Sequence, residues 1–178
     1  MNDVASRVGV RAPSLYSRFA DRAALLEALE VKLWGELRTR LEGEIVTGKP
    51  FESLRAQARA YRAFAKANPN GYSLLFDRLS ASSRDAQRAR ASAGEPFVAV
   101  LEEEIGAQSA ERAARVLAPF LHGFVAMELA GAMRGGQALG SAFDQGVDAI
   151  LENLRRAMRT GKRPVGGKSA RHRKNGRT

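Results

Sequence analysis

Apolar positions recur along almost the whole chain at the spacing of an amphipathic α-helix. No stretch alternates with the period of two that a half-buried strand shows. The clearest helical segment runs from Arg22 to about Thr47, where leucines repeat at the helical period after a capping residue, Asp21. The pattern therefore predicts an all-α protein with a long helix near its N-terminal end.

Two short apolar segments precede the long helix. Asn2 or Asp3 is suited to cap the first, and Gly9 is suited to end it in a left-handed conformation. Pro13 favours the first turn of a second helix, predicted over residues 13–19. Two short helices joined by a Gly-Val turn indicate part of a helix-turn-helix.

Glycine and proline divide the rest of the chain into further helices. Residues 82–94 carry little apolar surface, so they are predicted to form either a loop or an exposed lead into the next helix. The other predicted helices cover residues 51–67, 72–79, 96–105, 110–133 with Ser109 as the cap, and 141–159, with a loop over residues 134–140.

Composition and charge narrow the function classes. The chain has 178 residues, no cysteine and a formal net charge of +10. Residues 159–178 hold eight of the 29 Lys and Arg residues and no acidic residue, so residues 1–158 are nearly neutral. The absence of cysteine, of a signal peptide and of a membrane-length apolar run predicts a cytoplasmic protein.

The segment VASRVGVRAPSLYSRFADRAALL, residues 4–26, resembles the TetR family of bacterial transcriptional regulators. Five features carry the resemblance. They are the apolar-Ala pair Val4-Ala5, the Gly9-Val10 turn, the LYxxF motif of Leu15, Tyr16 and Phe19, the capping residue Asp21, and the basic residue Arg22 followed by Leu25. The resemblance implies a DNA-binding domain followed by a helical regulatory domain.

Later segments carry a weaker resemblance to the same family. YRAFAKANPNGYSLLF, residues 61–76, looks like the start of its regulatory domain. HGFVAMELAG, residues 122–131, resembles a C-terminal subfamily named for Trp, His and Gly, although Leu117 or Ala118 stands where the Trp is expected. The predicted organisation is a partial helix-turn-helix domain with its connecting helix over residues 1–47, a regulatory and dimerisation domain over 48–158, and a basic disordered tail over 159–178.

The spacing in the second short helix predicts which residues contact DNA. Leu15 and Phe19 are expected to point inward together with Val4, Val8 and Val10. The outward residues, which are candidates for contacts with base edges, are Arg11, Ser14, Ser17 and Arg18. The family resemblance implies phosphate contacts for Tyr16 and Arg22. The alternative is that these arginines are ordinary solvated charges.

A ligand site is predicted in the regulatory domain from aromatic and Met residues at helical spacing, although such a set also suits a simple core. The candidates are Tyr61, Phe64, Phe76, His122, Phe124 and Met127. His122 is either a hydrogen-bonded core histidine or a group that orients a small molecule. A metal site is not expected, because the only other histidine is His172 in the basic tail.

The last two long helices carry apolar and small residues that suit close helix packing between two copies of the chain. The candidate dimer-interface residues are Ala118, Ala126, Ala130, Val147, Ile150 and Leu154. The partners that the resemblance implies are a second copy of the chain, double-stranded operator DNA and a small apolar or amphipathic effector.

The predicted function is a ligand-responsive repressor that acts as a homodimer on a palindromic operator. The alternative is a truncated dimeric helical module that binds a ligand or partner and no longer binds DNA specifically. No enzyme and no cofactor are predicted, since GGQALG at residues 135–140 and TGKP at residues 47–50 lack the context of nucleotide-binding loops.

Two expectations concern the ends of the chain. The helix-turn-helix lacks a first helix before Met1, so we expect a start assigned too far downstream or a true truncation, with Val4, Val8, Leu15 and Phe19 partly bare. The tail from Arg159 is expected either to add weak, sequence-independent attraction to DNA or merely to increase solubility.

Overall fold

The computed structural model describes residues 1–79, 83–133 and 137–161, of which residue 137 and residues 157–161 are described by their backbone alone. These described residues form α-helices and no strand, which confirms the predicted all-α fold. The helices are α1 Asn2–Arg7, α2 Ala12–Tyr16, α3 Arg22–Glu42, α4 Pro50–Ala67, α5 Pro69–Asp77, α6 Arg84–Ile105, α7 Ala107–Leu129 and α8 Gln137–Gly161.

The core lies where α3, α4, α6, α7 and α8 meet. The α3 and α6 pair has the most extensive packing, and α6 also packs against α7. Leu37, Phe64, Leu117 and Phe143, one from each of α3, α4, α7 and α8, have almost no exposed surface. The connecting helix α3 is therefore part of the same core as the C-terminal helices.

Helix α3 begins as predicted and ends earlier than predicted. The Asp21 carboxylate accepts a hydrogen bond from the backbone N–H of Ala24 at 2.8 Å, which confirms the cap. The helix ends at Glu42, before the predicted Thr47. Ser53 supplies a physical reason, because its Oγ accepts a hydrogen bond from the Val46 N–H at 2.9 Å and so holds the following turn against α4.

The uncertain segment before residue 96 is helical. Helix α6 starts at Arg84, where Ser83 Oγ accepts a hydrogen bond from the Ala86 N–H at 3.1 Å. It continues through the buried Pro96, so the predicted helix start at residue 96 is wrong. A proline inside a helix removes one backbone hydrogen bond. Packing of α6 along α3 offsets that loss, which the local sequence does not reveal.

Three other helix starts differ from the prediction. Helix α7 begins at Ala107, after Gly106 with φ of +76°, so Ser109 is not its cap. Helix α8 already includes residues 137–140, which were predicted as loop. Helix α5 begins at Pro69, so Asn68 alone separates it from α4.

The N-terminal helix pair has little buried surface. Gly9 adopts φ of +73°, which confirms the predicted left-handed turn. Leu15 and Phe19 are partly buried, as expected. Val4, Val8 and Val10 are 40%, 61% and 43% exposed, so the described residues do not bury these three valines, and Val4 and Val8 are partly bare as expected.

Ion pairs join α4 to α7 and α8. The Arg62 guanidinium donates two hydrogen bonds of 2.7 Å to the Glu128 carboxylate, and Lys66 Nζ lies 3.1 Å from the same carboxylate. Arg59 binds Asp144 in the same two-pronged manner, at 3.0 and 3.1 Å. The predicted tail lies outside the described residues from residue 162 onward, while residues 159–161 belong to α8.

Candidate functional site

A cavity of about 240 Å³ lies inside the helical domain, between α3, α6 and α7 with one residue each from α4 and α5. Most of its lining is aliphatic or aromatic, and the polar side chains among the lining residues are few. The lining residues are Trp34, Leu37, Leu41, Tyr61, Phe76, Arg90, Ala93, Gly94, Phe97, Val98, Ala114, Leu117, Ala118, Leu121 and His122.

The cavity follows from side-chain size at the helix contacts. Helix α3 presents Trp34, Leu37 and Leu41 at helical spacing on the face that it turns toward α6 and α7. Across from them, α6 places Ala93 and Gly94. These residues are too small to fill the space, and protein cores otherwise leave few voids larger than a water molecule. A space of this size is therefore a candidate binding site.

A chain of three hydrogen-bonded side chains reaches the cavity wall at both of its ends, Tyr61 and His122. The hydroxyl oxygens of Tyr61 and Tyr72 are 2.8 Å apart, and the Tyr72 hydroxyl lies 2.8 Å from His122 Nδ1. The Phe76 ring stacks on the imidazole with 3.8 Å between ring centroids. Tyr72 itself is buried, whereas Tyr61 and His122 border the cavity.

All three groups are uncharged near neutral pH. Burial lowers the pKa of His122 below its usual 6.5, so the imidazole is neutral. Burial raises the pKa of Tyr72 to about 12, although the hydrogen bond from Tyr61 acts in the opposite direction. Burial also raises the pKa of Tyr61, with a smaller contribution from Tyr72.

A neutral imidazole lets this chain of hydrogen bonds run in either direction. When Tyr72 donates to His122 Nδ1, Tyr61 donates to Tyr72 and keeps only acceptor capacity for a ligand. When His122 Nδ1–H donates to Tyr72, Tyr72 donates to Tyr61, whose own O–H hydrogen is then free. The wall can therefore pair with a ligand group of either hydrogen-bonding type.

The structure brings three of the six predicted ligand residues to the cavity. Tyr61, Phe76 and His122 line it, as just described. Phe64 is completely buried in the core and Met127 is 51% exposed. Phe124 packs against the rings of Phe120 and Phe143. None of these last three lines the cavity.

Sequence reasoning missed the contributions of α3 and α6. The leucines of α3 were predicted as a helix face, but nothing distinguished Leu37 and Leu41 from other core leucines. Trp34, the one tryptophan of the chain, could have pointed to this face of α3, since a large aromatic side chain breaks the row of leucines there. The α6 residues Ala93 and Gly94 lie in the segment that was predicted as either a loop or a lead.

The predicted dimer residues lie in different environments. Val147 is buried in the core of its own chain, and Ile150 and Leu154 pack partly against that core. Ala118 is exposed where the cavity meets the surface. Ala126 and Ala130 line a separate outer groove between α5 and α7.

All six predicted DNA-contact residues are exposed; they are Arg11, Ser14, Tyr16, Ser17, Arg18 and Arg22. Ser14 and Tyr16 lie on α2, while Arg22 begins α3. The Ser17 hydroxyl donates a 3.0 Å hydrogen bond to the carbonyl oxygen of Ser14. Within the part of the chain that the structure describes, the three arginines form no ion pair with an acidic residue.

Residues 1–79, 83–133 and 137–161 contain no group of three His, Asp or Glu side chains placed to hold a metal ion. Within the same residues, no helix combines the length and the apolar character needed to cross a membrane.

Comparisons with known sequences assign the helical domain to a protein family. Residues 54–150 match the family model for the tetracyclin repressor-like C-terminal domain, which covers more than half of the chain. An uncharacterized HTH-type transcriptional regulator of Mycobacterium tuberculosis is 29% identical over 136 residues. That alignment covers 75% of this chain and 62% of the relative, so the chain spans less than two thirds of the relative's length.

Solved structures show the same fold. A protein of unknown function from Rhodococcus sp. RHA1 aligns with a TM-score of 0.73 at 23% identity, over 85% of this chain and 82% of that one. A TetR variant from Acinetobacter baumannii AYE, solved in complex with minocycline, aligns with a TM-score of 0.63 at 21% identity. This alignment covers 88% of the present chain and 84% of the TetR chain.

Proposed function

The chain belongs to the TetR family of transcriptional regulators, and we propose that it is a ligand-responsive repressor that binds a palindromic operator as a homodimer. The effector binds in the cavity between α3, α6 and α7. Its binding changes the position of the DNA-contact helices through α3.

The observation that carries this proposal is that α3 lines the cavity at one end and adjoins the DNA-contact pair at the other. Trp34, Leu37 and Leu41 from its C-terminal half line the cavity. Its N-terminal residue, Arg22, follows the end of α2 after a short link. A ligand that displaces the α3 side chains in the cavity therefore acts on the helix that carries the DNA-contact pair, which is the physical requirement for coupling two sites.

The binding of a small molecule has support from a structural neighbour. The TetR variant from Acinetobacter baumannii was solved with minocycline, so the shared fold can hold a small molecule. The mostly apolar cavity with a few hydrogen-bonding groups in its wall is typical of sites for such ligands.

On DNA, Arg11 and Arg18 donate hydrogen bonds to guanine in the major groove, and Tyr16 and Arg22 hold phosphates. Their exposure, and the absence of acidic partners among the described residues, leaves these arginines available for such contacts. Two copies of the chain related by a two-fold axis contact two symmetric half-sites, which accounts for a palindromic operator. The dimer forms through α7 and α8.

The test is the selection of binding sequences from random double-stranded DNA by the purified chain. We expect an enriched palindrome and a sedimentation coefficient of a dimer. Arg18→Ala is expected to cost about 1–3 kcal/mol of binding free energy and to relax preference at one base position in each half-site. Arg84→Ala, which removes an exposed arginine of α6 outside the proposed DNA-contact and dimer helices, is the matched control and leaves binding unchanged. A stable monomer or an unselective pool would contradict the proposal.

A second candidate function, a dimeric module that binds a ligand without selecting DNA, is favoured by one observation. Ala5 is the only buried residue among residues 1–21, although the two short helices there carry several apolar side chains. Helices of this length are marginal in water without tertiary packing. Ligand binding without any enriched DNA sequence would support this alternative.

A further inference from the structure

The cavity opens to the surface between α6 and α7. Arg90, Gly94 and Val98 follow one another at four-residue spacing along α6 and line the cavity, and Ala118 lines it from α7. Arg90, Gly94 and Ala118 are exposed, whereas Trp34 is buried on the inner side. An outer groove between α6 and α7 shares Val98, Ala114 and Ala118 with the cavity, so these residues mark its mouth.

The inner part of the cavity suits a small apolar body. Its volume of about 240 Å³ corresponds to about eight water molecules at about 30 Å³ each. Trp34, Phe76 and Phe97 provide large apolar surfaces there. The hydroxyls of Tyr61 and Tyr72 already have hydrogen-bond partners, so the inner wall does not require a charged ligand group.

The cavity lining itself carries charge of one sign, while in the outer groove beyond it Glu111 pairs with Arg115 and Glu102 lies farther along α6. The lining residues of the cavity include one arginine, Arg90, and no aspartate or glutamate. Within the described part of the chain, Arg90 makes no hydrogen bond or ion pair, whereas the nearby Arg38 contacts Glu42 and Glu95. An unpaired guanidinium beside an apolar cavity favours a carboxylate over an ammonium group.

We propose that the effector is a small monocarboxylate with an unbranched or aromatic apolar body, which enters between α6 and α7. Its carboxylate binds Arg90 at the mouth, and its apolar body lies against Trp34 and Phe76. This inference rests on the effector cavity of the proposed function and adds the chemical class of the effector and its route of entry.

The first experiment compares three probes that share one apolar chain: octanoate, octanol and octylamine. Trp34 is the single tryptophan of the chain and lines the cavity, so its fluorescence reports occupancy at this place. We expect octanoate to bind most tightly. Arg90→Gln is expected to weaken octanoate binding about tenfold and to leave octanol binding unchanged. Arg84→Gln, at an exposed position of the same helix outside the cavity lining, is the matched control and changes neither.

The second experiment closes the mouth. A Cβ added at Gly94 meets no atom within 4 Å, so Gly94→Leu is expected to fit at this position and to narrow the opening. Because leucine favours the helix more than glycine does, this variant is expected to raise the Tm while it abolishes octanoate binding. Gly35→Leu, at an equally open helical position of α3 outside the cavity lining, is expected to raise the Tm and retain binding.

The outcomes separate this inference from the proposed function. Equal affinity for octanoate and octanol, or octanoate binding unaffected by Arg90→Gln, overturns the carboxylate assignment. Full octanoate binding by a folded Gly94→Leu variant overturns the route of entry. If no probe changes the fluorescence while the chain still selects a palindromic DNA, the inference fails and the regulator proposal stands. Failure of DNA selection alone bears only on the proposed regulator.

Discussion

The hydrogen bonds of Tyr72 provide the sharpest test of the site geometry. Tyr72→Phe removes one hydroxyl and keeps the ring that packs against Tyr61, Phe76 and His122. The substitution eliminates two hydrogen bonds of 2.8 Å, and it leaves the Tyr61 hydroxyl and His122 Nδ1 without their partner. The change is therefore confined to polar interactions.

The magnitude follows from the surroundings of the two orphaned groups. An unsatisfied buried polar group costs about 1–3 kcal/mol. Tyr61 is 8% exposed and His122 is less deeply buried, and both border the cavity, which water can enter. We therefore expect a loss of about 1–3 kcal/mol in total in the free energy of unfolding.

The assay is urea unfolding followed by circular dichroism, with Tyr16→Phe as the matched control. Tyr16 is 52% exposed, so its variant is expected to stay within about 0.5 kcal/mol of the parent protein. A double-mutant cycle adds a qualitative check. Once Tyr72 is Phe, the Tyr61 hydroxyl has lost its hydrogen-bond partner and destabilises the fold. Adding Tyr61→Phe is therefore expected to lower the free energy of unfolding by less than Tyr61→Phe does alone. Additive effects, or a loss for Tyr72→Phe no larger than that of the control, would refute the hydrogen-bonded chain.

Three further predictions concern pH and packing. The pKa of His122 is lower in the folded state than in the unfolded state, so the unfolded state binds more protons below pH 6.5. The free energy of unfolding is therefore expected to fall as the pH decreases from that value. In urea unfolding between pH 7 and 5, His122→Asn is expected to remove this dependence. The hydrogen bonds from Arg62, followed by that from Lys66, lower the pKa of Glu128. Glu128→Gln is therefore expected to lower the free energy of unfolding by about 1–2 kcal/mol at pH 7 and by progressively less as the pH falls below 4.5. An equal loss at pH 3 would contradict the ion pair. Phe64→Ala is expected to lower the free energy of unfolding by about 3–5 kcal/mol, because Phe64 is completely buried. Met127→Ala is expected to lower it by less than about 0.5 kcal/mol and to retain ligand binding, because Met127 is exposed. A reversed order in thermal unfolding would contradict the assigned core.

Helical periodicity predicted the elements whose stability is largely local. The Asp21 cap, the left-handed Gly9 and the extent of α4 needed only neighbouring residues, and the structure confirms them. The continuation of α6 through Pro96 depends on packing against α3, which no local rule contains. Glu30 is a similar exception, because a glutamate is completely buried only where a partner such as Arg78, at the end of α5, reaches it from a distant part of the chain.

The cavity was harder to predict than the core for a simple reason. A sequence shows which side chains are present, but a cavity results from volume that the facing side chains do not fill. Ala93 and Gly94 are ordinary helix residues in the sequence and become cavity walls only because Trp34 and Leu37 lie opposite them. Tyr61 and His122 were predicted because Tyr61 belongs to a set of aromatic and Met residues at helical spacing and His122 is a histidine within an apolar helix.

In the proposed regulator, the geometry of α3 accounts for the control of DNA binding by a small cavity. The helix has 21 residues, which at 1.5 Å per residue gives a length of about 30 Å. Leu37 and Leu41 line the cavity near one end, and the short helices α1 and α2, which carry the proposed DNA contacts, precede the other end. A tilt of about 5° around the cavity end displaces the far end by about 2.6 Å, given that length. Hydrogen bonds to base edges fail over smaller distances than this. In the proposed dimer, the same tilt in both copies changes the spacing of two half-site contacts at once, so a modest ligand-induced shift is enough to release the operator.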